Sequence, residues 1–264
     1  MPGSTGRRAR PIYVEIQIGA AIDVVWELTQ RPQHHQRWDA RFSRITYAEA
    51  SAPPPAATPS PPPTRFRYTL GARHGPALTG TGVTTAERCR PDGTRISALR
   101  FSSDTRLSPL QDGAGYWRYL SVPSLAASTP ETVRFVTGYD YRSWPGRLGD
   151  LLDRRLVRPI VGWLTAWSFD RLRLWAERGI TPEQSRLNAF SEVLARLVLA
   201  AAGALITAQA YGTASGVAVG LTVLGLSTLV PPSAVTPAAR RCIRHPRDRH
   251  TARAPKALST LERP

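Results

Sequence analysis

Residues 12–18 (IYVEIQI) alternate Ile12, Val14, Ile16 and Ile18 against Tyr13, Glu15 and Gln17, the period-two pattern of a half-buried strand. Ala20 to Gln30 places Val24, Val25, Trp26 and Leu28 near one face of a short helix, and Pro32 ends that turn ahead of the polar stretch HHQRWDARF. Strand-like runs then recur at Arg65 to Leu70, Ala77 to Thr85, Thr94 to Ser102, Gly115 to Val122 and Thr132 to Tyr141. Pro91-Asp92-Gly93 and Asp112-Gly113 read as turns between antiparallel neighbours, because Asp bonds to the local backbone and Gly accepts positive φ. Period two puts Leu99 with Phe101, Trp117 with Tyr119, and Phe135, Thr137 and Tyr139 with Tyr141 on one face of these strands. That face is expected to be the concave one, where such residues suit either a pocket lining or a filled core. The opposite phase turns Arg100, Arg118 and Asp140 inward, and a single bulge exchanges the two.

From Gly146 to Gly179 the period becomes helical, with Leu148, Leu151, Leu152, Leu156, Ile160, Trp163, Trp167 and Leu174 broadly on one stripe. Proline is damaging inside a helix and comfortable in its first turn, so Pro159 predicts a kink or restart and a last helix from about Pro159 to Gly179. Asp170 falls on the same stripe, which predicts a carboxylate facing the sheet and paired with Arg173 at i+3 or with Arg100 across the cavity.

Strand, short helices, a run of antiparallel strands and a long helix is the element order of an α+β helix-grip fold, a curved antiparallel sheet wrapped on a long helix. IxVEIxIxAxIDVVWELTQ (12–30) followed by HxxRWD (34–39) resembles the opening of the SRPBCC, or START-like, superfamily. SALRFSS (97–103), GYWRY (115–119), FVTGYDY (135–141) and WLTAWSFDRLRLW (163–175) resemble a membrane-linked branch of it. The resemblance covers about residues 10–180. It implies a cavity between sheet and helix that holds lipids, polyketides, sterols or other apolar molecules, with catalysis in only some members. The ligand-binding residues expected on this basis are Trp38, Leu99, Phe101, Trp117, Tyr119, Phe135, Thr137, Tyr139, Trp167 and Asp170.

Between Arg196 and Arg240 no side chain is charged, and two apolar runs lie there, Leu197 to Tyr211 and Thr213 to Val230. At about 1.5 Å per residue the second spans roughly 27 Å, close to the hydrocarbon thickness of about 30 Å. Arg178, Arg186 and Arg196 precede the pair, and Arg240, Arg241, Arg244, Arg247 and Arg249 follow it. The positive-inside rule then favours a transmembrane hairpin with both ends cytoplasmic. Gly212, Gly216 and Gly220 repeat at four-residue spacing, which allows two helices to approach closely. A soluble hairpin packed on the domain, or a dimerisation element, is the alternative. The expected organisation is a basic tail (1–10), the helix-grip domain (11–183) with a proline-rich insertion (51–63), a hydrophobic hairpin (187–232) and a basic C-terminal tail (233–264).

The formal charge of +16 is carried almost wholly by arginine, Lys256 being the sole lysine. No helix-turn-helix, zinc-knuckle or RNA-binding signature accompanies it, so no specific nucleic-acid partner is expected, and anionic head groups beside the tail account for the basicity. No signal-peptide pattern follows Met1, and Cys89 and Cys242 lie far apart, which fits a cytoplasmic domain with unpaired thiols. No phosphate loop, nucleophile elbow or metal-ligand spacing occurs, so no cofactor and no metal are expected; Cys242 with His245 and His250 reads as ordinary tail. His34-His35 is read as exposed in a polar turn, and Trp38-Asp39-x-Arg41-Phe42 as a packed corner carrying a surface Asp39–Arg41 ion pair. The functional expectation is binding of an apolar small molecule or lipid at the cytoplasmic face of the cell membrane, the alternative location being cytoplasmic. A polyketide cyclase or dehydratase-like enzyme and a membrane-associated interaction module without a ligand are the other two classes.

Overall fold

The computed structural model describes residues 10–47, 63–71, 77–88, 90, 93–106, 108–122, 131–248 and 252–264. Residues 51–62 of the proline-rich insertion, Pro91 and Asp92 of one expected turn, Cys89, and residues 1–9 of the N-terminal tail lie outside the described residues. The chain runs through β1 (Ile12–Ile18), α1 (Ile22–Gln30), α2 (Pro32–Trp38), β2 (Phe42–Tyr47), β3 (Thr64–Leu70), β4 (Leu78–Glu87), β5 (Arg95–Ser103), β6 (Asp112–Val122) and β7 (Thr132–Arg142). It continues through α3 (Gly146–Leu152), a π turn (Asp153–Val157), α4 (Arg158–Arg178), α5 (Pro182–Tyr211), α6 (Thr213–Leu229), a 3₁₀ turn (Ala239–Arg241) and α7 (Lys256–Thr260).

The strands form one antiparallel sheet in the order β1-β7-β6-β5-β4-β3-β2, so the first two strands in sequence are its two edges. The helices α1 and α2 cross from one edge to the other, and α4 lies over β1; this is the helix-grip architecture. Register places Ile16, Phe135 and Tyr119 side by side, then Val14, Thr137 and Trp117, then Tyr139, Gly115 and Leu99, then Tyr141, Gly113 and Phe101. Directly opposed residues share a face, so the phase with the aromatic residues inward is the one adopted. Phe169 of α4 stacks on Phe135 at 4.6 Å between centroids and meets Trp38 edge-on. Each such ring buries about 150–250 Å², on the order of 4 kcal/mol of transfer free energy at about 25 cal/mol per Å².

Two local expectations are revised. Pro32 does not leave a polar turn behind it; it occupies the first turn of α2, where its missing N–H costs nothing, and β2 follows as a strand whose hydrophobic alternation is weak. Asp112 and Gly113 open β6 instead of forming a turn, and Gly113 is needed because a Cβ there would sit 2.4 Å from the Phe101 ring. The last helix starts at Arg158 with Pro159 in its first turn, as expected, and the π turn ahead of it directs the buried Asp153 to the Tyr141 hydroxyl (2.7 Å) and Arg158 Nε (2.9 Å). Gly179 at φ 66° then ends α4 by donating to Trp175 O.

The segment after α6 returns to the domain. Asp170, fully buried, accepts from Arg173 Nε (2.6 Å), the Ala238 amide (2.7 Å) and Arg241 Nη1 (2.7 Å). Ile243 and Glu15 exchange backbone hydrogen bonds at 2.9 Å along the free edge of β1. Farther on, Arg118 and Arg100 of the convex face donate to Arg253 O and Leu258 O, and Leu261 is buried. The polypeptide entering α5 and the polypeptide leaving α6 are therefore both fastened to the same domain.

Candidate functional site

The concave face has two halves. Over β1 and β7, Trp38, Tyr119, Phe135 and Phe169 have no exposure, and Trp117 and Tyr139 very little. Trp38 Nε1 donates to Leu28 O at 2.9 Å, and the Tyr119 hydroxyl bonds to Thr29 Oγ1 (2.7 Å) and Gln30 Nε2 (2.9 Å). The Thr137 hydroxyl is turned to Tyr116 O at 3.0 Å. These residues form a filled core with its polar atoms satisfied from α1 and the backbone.

The other half, over β3, β4 and β5, is not overlain by α4 among the described residues. Here aromatic side chains face glycines on neighbouring strands: Phe66 over Gly82, Tyr68 over Gly80 and Phe101 over Gly113. A Cβ at Gly82 would lie 2.2 Å from the Phe66 ring and one at Gly80 2.3 Å from that of Tyr68. Glycine is required because only hydrogen fits beneath a ring laid flat on the sheet. The outcome is a low aromatic floor with headroom above it. A hollow of about 310 Å³, at the lower end of the range of ligand pockets, is lined by Tyr47, Phe66 and Gly82 of this face and by Thr46, Arg65, Arg67 and Thr81, which alternate with them along β2, β3 and β4. Leu99 and Phe101 are half-buried beside it, and burial pushes the Tyr47 phenol up to about 12.

Between the two halves sits a buried polar cluster. Asp39, with no exposure, receives Arg41 Nη2 (2.6 Å), Arg41 Nε (2.9 Å) and the Arg41 amide (3.1 Å), and its Oδ2 lies 3.2 Å from His35 Nε2. Arg41 also packs over Tyr139, whose hydroxyl bonds to Thr165 Oγ1 at 2.8 Å. Burial opposes ionisation of Asp39, but the Arg41 charge and the hydrogen bonds from Arg41 and His35 outweigh it and hold the carboxyl well below its usual range. Burial lowers the His35 pKa despite the bond to Asp39, so the imidazole is neutral, stacked on Trp38 and edge-on to Trp117.

The Asp39–Arg41 pair expected on the surface is thus interior, and His35 is buried, not exposed in a turn. The missed signal is the i,i+4 spacing of His35 and Asp39, which aims both at one point once Pro32 starts a helix. Asp170 is buried as expected and takes Arg173, but it faces the returning C-terminal segment, away from Arg100 and the groove. Trp167 is half-buried at the margin of the core cluster, between Trp163 (6.2 Å) and the Arg171 guanidinium (4.9 Å). Among the described residues, no three His, Cys, Asp or Glu side chains converge as a metal site.

The hairpin base is built from the same region. Arg171 donates to Trp38 O (3.0 Å), Arg37 O (2.9 Å) and Pro182 O (3.0 Å), joining the end of α2 to the start of α5, and burial lowers its pKa to about 10. Arg37 holds Glu183 through two 2.9 Å bonds and lowers that carboxyl to about 2. The helix α5, of 30 residues, is long and apolar enough to cross a bilayer, whereas α6 has 17 residues. Gly216 brings the two together, a Cβ there falling 2.6 Å from Ala208 Cβ.

No protein-family model matches the chain. Over 177 residues it is 39% identical to the uncharacterized membrane protein YndG of Bacillus subtilis (strain 168), a match covering 67% of this chain and 61% of that protein. The chain thus spans about three fifths of this relative's length. Among solved structures it is similar to the di-domain ARO/CYC StfQ of the steffimycin biosynthetic pathway, at 15% identity and TM-score 0.41 over 64% of this chain and 51% of that one. It is also similar to a conserved protein from Geobacillus kaustophilus, at 9% identity and TM-score 0.40 over 65% of this chain and 97% of that one. The helix-grip assignment rests on the strand order and the seat of α4 described above, and the likeness to a membrane protein accompanies a helix long enough to span.

Proposed function

We propose that this protein binds an apolar small molecule or lipid in the open half of its helix-grip groove, at the cytoplasmic face of a membrane that α5 and α6 enter. The observation that carries the reading is the aromatic floor over Gly80, Gly82 and Gly113, whose Phe66 and Gly82 also line a hollow of about 310 Å³ at the β2–β4 end of the sheet, while the opposite half of the face is filled. Tyr47 and Phe66 line it, and Phe101, paired with Gly82, continues the apolar surface toward Leu99 on the same strand. Tyr139 with Arg41 forms the polar end; Trp38, Trp117, Tyr119, Phe135 and Thr137 support the site from beneath and beside it. Trp167 and Asp170 stand outside it. A cyclase-like reaction has weaker support, because His35, Asp39 and Arg41 are committed to one another and present no acid and base pair to the hollow.

The test is native mass spectrometry of the detergent-purified full chain, compared with G82V. Any side chain at Gly82 lifts the Phe66 ring into the hollow, so the wild type is expected to release a co-purifying apolar molecule that the folded variant lacks. A wild-type protein that carries no such molecule and takes up none from an added lipid extract contradicts the proposal. F66A, which enlarges the hollow, checks that any loss in G82V comes from filling and not from disrupted pairing.

A further inference from the structure

The apolar stripe expected to face the core does so only at its far end. Leu174 has no exposure, but Leu148 is 69%, Leu151 52%, Leu156 53%, Ile160 48% and Trp163 48% exposed. The stripe runs from α3 through the π turn into the first turns of α4. The polar residues of the same stretch point the other way or flank it: Asp153 is turned inward, and Arg147, Arg154 and Arg155 are exposed, with Asp150 the exposed carboxylate among them. A contiguous run of exposed large apolar side chains on a soluble-facing domain marks a contact surface. Leucine and tryptophan on one side with arginine beside them is the composition of a helix that lies in a lipid interface.

Two observations name the occupant as lipid. The flanking arginines match anionic head groups, the counterpart that a strongly basic chain meets at a cytoplasmic leaflet. The stripe is also continuous with the base of the apolar hairpin: Trp163 stacks on Trp167, Trp167 on Arg171, and Arg171 donates to Pro182 O where α5 begins. One face of α4 therefore leads from the stripe to the membrane-entry helix.

We propose, resting on the membrane insertion of α5 and α6 proposed above, that Leu148, Leu151, Leu156, Ile160 and Trp163 form a second membrane contact, an interfacial segment that lies on an anionic bilayer while the hairpin inserts. Two attachments at opposite ends of α4 fix the tilt of the domain, which a hairpin alone leaves free to swing.

The experiment places an environment-sensitive fluorophore at L156C in the full chain, with C89S and C242S, in lipid nanodiscs, and a control fluorophore at E131C on the far end of β7. Nanodiscs of phosphatidylcholine with phosphatidylglycerol carry nitroxide quenchers at shallow or deep positions of the acyl chain. The proposal expects the probe at 156 to be quenched about twofold or more by the shallow nitroxide, little by the deep one, and the probe at 131 by neither, since interfacial helices sit about 5–10 Å deep. Adding the anionic lipid should raise the lipid-contacting population about fivefold for each arginine engaged. Water-like emission at 156 with no quenching in anionic discs overturns it. So does disulfide cross-linking of L156C between two chains without lipid quenching, which would give the face to a second copy of the protein. Position 156 is exposed, so the substitution leaves the packing intact, and L151E with I160E in the same labelled chain should abolish the quenching.

Discussion

Removal of the Asp39 carboxylate tests whether the polar cluster is interior. D39A leaves the Arg41 guanidinium beside Tyr139 with two of its hydrogen bonds gone, the Arg41 amide without its acceptor and His35 without its Asp39 partner, in a place where Asp39 itself has no exposure. Losing one partner of a buried ion pair costs about 3–5 kcal/mol, because the remaining charge stays desolvated. For a protein of this size about 2–4 °C of melting temperature accompanies each kcal/mol, so the midpoint should fall by about 6–20 °C. The double variant D39L/R41M removes both charges and should recover much of the loss, since an apolar replacement of a buried pair is often neutral. Thermal denaturation of the wild type, D39L, R41M and D39L/R41M in detergent, followed by circular dichroism, gives the four corners of the cycle. If D39A costs no more than about 1 kcal/mol, the value of a solvent-exposed pair, and the double variant adds its two single effects, the interior cluster does not exist as described.

Other consequences follow from the same geometry. His35 has a lowered pKa in the folded state, so below an unfolded value of about 6.5 the unfolded chain binds a proton that the folded one refuses. Stability should therefore be retained above that pH and decline by up to about 1.4 kcal/mol per unit as pH falls toward the folded value, a slope that H35Q removes; an unchanged slope in H35Q refutes the assignment. Replacing residues 185–232 by a flexible linker of about six residues should give a protein more heat-stable than the fragment 1–183, because the linker keeps the segment that supplies Ala238 and Arg241 to Asp170. Equal melting points would show that the returning segment adds nothing. D170N should lower stability more in the linker protein than in the fragment 1–183, which lacks Ala238 and Arg241, and calorimetry compares the two losses. G216L should loosen the pairing of α5 and α6 by about 1–3 kcal/mol, read as faster amide exchange in α6, since its Cβ meets Ala204 O at 2.5 Å.

The alternation in IYVEIQI and FVTGYDY, and the shift to helical period after Gly146, determined the strands and the long helix, while the inward phase of Trp117, Tyr119, Phe135 and Tyr139 was decided by the pairing register. Period two and period 3.6 are local properties, set by which side of the backbone each Cβ leaves. The unbroken apolar stretch after Arg196 determined the hairpin in the same way, with Gly212 marking its turn at φ 89°. Weakly alternating β2 and proline-led α2 escaped, because their formation depends on the neighbours they meet. Which inward residues fill a core and which border a hollow was decided only by where α4 lies across the sheet. The glycines opposite Phe66, Tyr68 and Phe101 acquire their meaning through pairing between strands far apart in sequence. Asp170 shows the limit most directly. Its burial followed from its position on α4, but its partners Ala238 and Arg241 lie about seventy residues on and arrive only because the chain returns after α6. The leucines of α3 show the converse: the helical stripe is written in the sequence, while the absence of anything packed on it among the described residues is a property of the assembled fold.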